Sequence, residues 1–242
     1  MRLALLALFC LTVSGQNLTL DKQAAIGRQI AGEVRGHTTP VESPDVRNYV
    51  TQLASRITRL LPTATFIFSV VSTEDDNALH EPLVLPGGYI FVPVNLLLAA
   101  NDEGELAGML AQAIARGPLL VATSAAIVIT TVGSFGGDKY LPSAAMDQWK
   151  TLELHADQIA ALTMSRAGVD PGALLRYIER VQPRDEAHSP FPPRAVRITA
   201  LREAIRDIPP VVQEESAEFQ RIQKLVRPAP PALRAPPSLL AN

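Results

Sequence analysis

DEGELAGMLAQAIAR runs from Asp102 to Arg116 near the middle of the chain. Asp102, with Glu105 three residues on, makes a capping box. Leu106, Met109, Leu110 and Ile114 then recur at helical spacing, so a helix is expected over 103–116. Gln112 and Arg116 stand four residues apart and therefore share one face of that helix, with Ala113 beside Gln112.

On the N-terminal side, two amphipathic helices precede it. Leu18 to Val34 carries Leu20, Ala24, Ile26, Ile30 and Val34, with Asp21 as its expected cap and Gly36 and Pro40 as its stop. Pro44-Asp45 opens the second, whose buried stripe is Val46, Val50, Leu53, Ile57 and Leu61. Thr65 to Val71 is β-branched and aromatic and reads as a strand. Leu83 to Pro93 reads as a second strand, and its Pro86-Gly87-Gly88 allows backbone geometry that other residues resist. Pro93 cannot donate to a ladder, which places that end at a sheet edge. An edge strand can pair with an extended peptide, which would make Gly87, Gly88, Tyr89, Ile90 and Phe91 peptide-binding; a plain hairpin arm is the other reading.

On the C-terminal side, Pro118 to Gly137 is apolar but dotted with threonine, serine and glycine. It suits a buried helix or a membrane-touching hairpin better than a spanning helix. Helices follow at Trp149 to Ala167, ending at Gly168, then from Asp170-Pro171 to about Val181, at Arg194 to Arg206 and at Ser216 to Val226. The expected organisation is 1–15 signal segment, 16–207 main domain, 208–227 short helical extension and 228–242 tail. The tail holds five prolines and has no fold of its own to offer.

The chain's 242 residues, 47% hydrophobic with net charge −2, suit one domain with a sizeable core and give no electrostatic reason for a nucleic-acid partner. Arg2, the apolar run Leu3 to Val13 and the small residues Ser14 and Gly15 read as an export signal. The one cysteine, Cys10, lies inside it, and bulky Phe9 argues against acylation there. The mature chain would then have no disulfide or thiolate chemistry.

PGGYIFV from Pro86, ELAGMLAQAIAR from Glu105, ELHADQIA from Glu153 and AGVDP from Ala167 stand in one order. In wording and spacing they resemble the HtpX and CAAX-prenyl-protease family of zinc metallopeptidases (peptidase family M forty-eight), most closely its exported, BepA-like branch. The likeness covers most of residues 18–206. It implies an α+β, mainly helical, gluzincin-like domain with a small β-sheet, located in the periplasm or cell envelope.

The family's zinc motif is H-E-x-x-H, two histidine ligands around a general-base glutamate. In its place stands Gln112-Ala113-Ile114-Ala115-Arg116. By the resemblance, Glu153 occupies the third ligand position and Asp157 the position of a supporting carboxylate. A neutral amide is a poor zinc ligand, arginine cannot deprotonate to become one, and alanine takes no proton from water. The expectation is therefore a pseudo-peptidase with no catalytic residues and no bound metal.

Arg116 is expected to supply the positive charge the metal would have given, pairing with Glu153 and also with Asp157, while Gln112 bonds alongside. Its alternative is an Arg116 that reaches solvent beside an exposed Glu153. His155, two residues from Glu153, points to another face, and a site rebuilt from Glu153, His188 and His80 would be needed to hold zinc. The function expected is binding of extended or unfolded segments of envelope proteins. The rival functions are an active zinc metalloendopeptidase with non-standard ligands and a structural assembly subunit.

Overall fold

The computed structural model describes residues 19–60, 65–72, 80–121, 143–182, 191–212 and 215–227. The segment 1–15 with Cys10, Leu61, residues 122–137 of the apolar stretch, His188 and the tail 228–242 lie outside the described residues.

Helix α1 spans Leu20–His37. Its cap is Thr19, whose hydroxyl accepts the Lys22 N–H at 3.4 Å; Asp21 instead puts negative charge in the first turn. Helix α2, Pro44–Thr58, buries Val46, Val50, Leu53 and Ile57 with Tyr49 and Ala54 alongside them.

Four short strands form one mixed sheet in the order β1-β2-β4-β3. They are β1 (Thr39–Pro40), β2 (Ile67–Ser72), β3 (Leu83–Leu85) and β4 (Tyr89–Pro93). β2 and β4 run parallel, and the other two pairings are antiparallel. The single strand expected over 83–93 is thus two strands folded about a 3₁₀ turn, Pro86–Gly88. Gly87 and Gly88 take φ of +78° and +83°, a region glycine enters without steric cost. A Cβ on Gly88 would lie 2.0 Å from the Thr65 carbonyl oxygen, so the turn sits hard against backbone.

β4 is an interior strand. Tyr89 to Phe91 pair with β2 on one side and with β3 on the other, which leaves their main chain no free edge for an added peptide. The inference from Pro93 fails because that proline is the last residue of the strand and the cap of the next helix, where a missing N–H breaks no interior ladder. Ile90 and Phe91 are buried core residues.

Helix α3 (Val94–Ala99) leads into α4 (Glu103–Val121), which continues past Arg116 through Pro118. The Asp102 carboxylate accepts the Glu105 N–H at 2.8 Å, and the Glu105 carboxylate accepts the Asn101 N–H at 2.8 Å. The reciprocal cap is therefore formed, reaching one residue further back than the simple pattern. Helices α5 (Ser143–Arg166), α6 (Gly172–Val181), α7 (Arg194–Ile205) and α8 (Ala217–Val226) complete the described chain. Gly168 closes α5 with φ of +71°, and the Val169 N–H turns back to the Met164 carbonyl at 2.9 Å.

α4 lies at the centre, packed against α5, α6, α2 and β3. Leu106, Met109, Leu110 and Ile114 are fully buried there, as their spacing predicts. Phe219 and Ile222 of α8 join the same core from the far end of the chain. The architecture is α+β and mainly helical. Among the described residues no helix is long and apolar enough to cross a membrane.

Candidate functional site: a buried charge cluster between α4 and α5

Because α4 and α5 pack along their length, residues on their facing sides meet. Gln112 and Arg116 from α4 meet Glu153 from α5 in the interior, with Arg116 2% and Glu153 0% exposed. The exposed alternative for this pair is therefore not what the chain adopts. Gln112 lies between the two charges: its Nε2 donates to Glu153 Oε2 at 2.5 Å, and its Oε1 accepts from Arg116 Nη2 at 2.7 Å. An amide suits this place because it offers a donor to the carboxylate and an acceptor to the guanidinium. Arg116 Nη1 stands 3.1 Å from Glu153 Oε1, an ion-pair contact without the alignment of a hydrogen bond. Arg116 Nη2 also reaches the Pro82 carbonyl at 3.4 Å. Its guanidinium carbon lies 6.0 Å from the centre of the buried Trp149 ring, one turn before Glu153.

Asp157 does not join Arg116. It is held by Arg197 of α7 in a two-point fork, Nε to Oδ2 at 2.8 Å and Nη2 to Oδ1 at 2.7 Å. Arg197 Nη1 donates in addition to Gln182 Oε1 at 2.9 Å and to Glu81 Oε1 at 3.3 Å. The fork matches a planar guanidinium to a carboxylate and ties α5 to α7. No motif in the sequence marks Arg197 as a site residue. The signal it carries is an arginine one turn before Leu201, and those two are the buried residues of α7.

Three carboxylates, Glu81, Glu153 and Asp157, thus face two guanidiniums in an interior from which water is largely excluded. Burial pushes the Glu153 carboxyl up, against the pull of Arg116 and with the repulsion of Glu81 added, to about 7. Burial alone would weaken the Arg197 charge, but Asp157 and Glu81 outweigh it and hold the guanidinium more firmly protonated than usual. Near neutral pH the cluster can therefore balance its charge by keeping a proton on Glu153.

The other candidate residues lie apart from this cluster or at its rim. His155 is exposed on the outer side of α5. His80 is half-buried, its carbonyl accepts the Tyr177 hydroxyl at 3.1 Å, and burial pushes its imidazole pKa down. Zinc, which the resemblance implies, does not fit the residues present. The carboxylate in the ligand position is already opposed by a guanidinium, and position 112 offers an amide engaged at both ends. Among the described residues no three histidine, aspartate or glutamate side chains are grouped so as to hold a metal ion.

No family model matches the chain. Among curated proteins it is similar to one of Vibrio cholerae that bears the name beta-barrel assembly-enhancing protease. The two are 25% identical over 238 residues, which covers 83% of this chain and 47% of that protein. The chain spans about half the length of the curated relative it matches.

Proposed function

We propose that the chain is a catalytically silent, gluzincin-like relative of the HtpX and CAAX-prenyl-protease metallopeptidases, exported to the cell envelope. There it binds extended or unfolded segments of envelope proteins instead of cutting them. The observation that carries this reading is the buried Arg116–Gln112–Glu153 arrangement, built on a helix pair whose wording resembles that of the peptidase family. A guanidinium beside Glu153 supplies positive charge, but it polarises no bound water toward hydroxide as a metal does. Ala113 offers no base, so neither half of the hydrolytic machinery is present. The similarity to a protein named for barrel assembly supports envelope proteins as the partner class. With β4 paired on both sides, main-chain capture would fall elsewhere in the sheet. On the β1 side of β2, β1 pairs with Val71 and Ser72 and the Val41 N–H reaches the Val70 carbonyl at 2.9 Å, so among the described residues Ile67 to Ser69 have no strand partner on that side.

The test is to dilute a urea-unfolded outer-membrane β-barrel protein into the purified full chain, with and without added zinc. The expected result is a complex that survives gel filtration and yields no fragments under either condition. Zinc-dependent fragments that vanish with chelator would instead establish an active endopeptidase with non-standard ligands. Neither complex nor fragments would remove the binding role.

A further inference from the structure

Four buried polar atoms have no hydrogen-bond partner among the described residues: Arg116 Nε, Trp149 Nε1, Glu153 Oε1 and Glu81 Oε2. Such atoms are rare in folded interiors, because an unpaired one loses its bonds to water, and their usual explanation is a bound water or ion. Three of them, on Arg116, Trp149 and Glu153, belong to neighbouring side chains. Trp149 and Glu153 lie one turn apart on the same face of α5, the Arg116 guanidinium lies over the Trp149 ring, and Arg116 Nη1 is 3.1 Å from Glu153 Oε1.

The chemistry of the four atoms selects the ligand. Two are N–H donors and two are carboxylate oxygens. A cation would meet the Arg116 charge, and an anion would meet Glu153 and Glu81. An apolar molecule would leave all four unpaired. What satisfies both kinds at once is a small neutral group that donates and accepts, and buried waters characteristically make about three such bonds. We propose that one ordered internal water is held between Trp149 Nε1, Arg116 Nε and Glu153 Oε1, as a fixed part of the cluster. This inference rests on the polar atoms alone and does not require the peptidase reading.

A crystal structure of the full chain at a resolution that shows ordered solvent tests this directly. The expected result is a peak of water's weight within hydrogen-bond distance of Trp149 Nε1 and at least one of the other two atoms. A protein group in that place, a heavier ion, or no peak would overturn the proposal. Trp149 is the chain's only tryptophan, so its indole N–H gives one unambiguous resonance for a solution check. A nuclear Overhauser contact to water, with the sign of a long-lived complex, is expected there. Its absence would equally overturn the proposal.

Discussion

Deleting the Arg116 guanidinium leaves Glu153 buried without its counter-charge. Breaking a buried pair from one side costs about 3–5 kcal/mol, so Arg116→Ala is expected to lower unfolding free energy on that scale, read by urea denaturation. The loss should be smaller at pH 5 than at pH 8, because Glu153 can take up a proton in place of its lost partner. The same residue sets a pH signature in the unmodified chain. Its folded pKa, about 7, lies above its ordinary 4.5, so its contribution to stability is complete below pH 4.5 and is lost as pH rises through 7. The stability difference between the native chain and Glu153→Gln, followed by urea unfolding from pH 4.5 to 8, should therefore shift steadily against the native chain. A difference that does not change with pH would refute the assignment. Much of this was legible at residue scale. Gln112 and Arg116 share a helix face, and the resemblance gives Glu153 the position of a third ligand, so their meeting could be anticipated. Arg197 could not, because its partners Asp157, Gln182 and Glu81 come from distant segments whose approach no local spacing encodes.

At the scale of elements, α1 and the Pro86–Gly88 turn touch through backbone. A Cβ on Gly27 would stand 1.7 Å from the Pro86 carbonyl oxygen, whereas one on Gly32 of the same helix meets nothing within 4 Å. Gly27→Ala should therefore destabilise by roughly 2 kcal/mol or more, as overpacking does. Gly32→Ala should stabilise by about 0.5–1 kcal/mol, from helix preference alone. Thermal or urea unfolding of the two variants decides between a seated helix and a loosely laid one. The helices were readable because a 3.6-residue period survives in the stripes of α2 and α4. Strand order was not, because Pro93 suits a strand's end as well as an edge, and only the pairing of β4 with both β2 and β3 separates the two.

For the molecule as a whole, the last helix is part of the core. Phe219 and Ile222 are buried against α2 and α3, and the Gln223 side chain donates to the Leu97 and Ala100 carbonyls at 2.8 Å each. Phe219→Ala should cost about 3–5 kcal/mol while leaving one cooperative transition. Removing the exposed pair between Arg221 and Asp45 should leave stability nearly unchanged, because solvent screens it. Both are read from urea unfolding. Arg116 and Glu153 are expected to behave energetically as one unit at the heart of this fold. A double-mutant cycle of Arg116→Met, Glu153→Gln and the two together, by urea unfolding at pH 8, measures this. A coupling of about 1–3 kcal/mol is expected. Additivity within about 0.5 kcal/mol would show that the two side chains act independently.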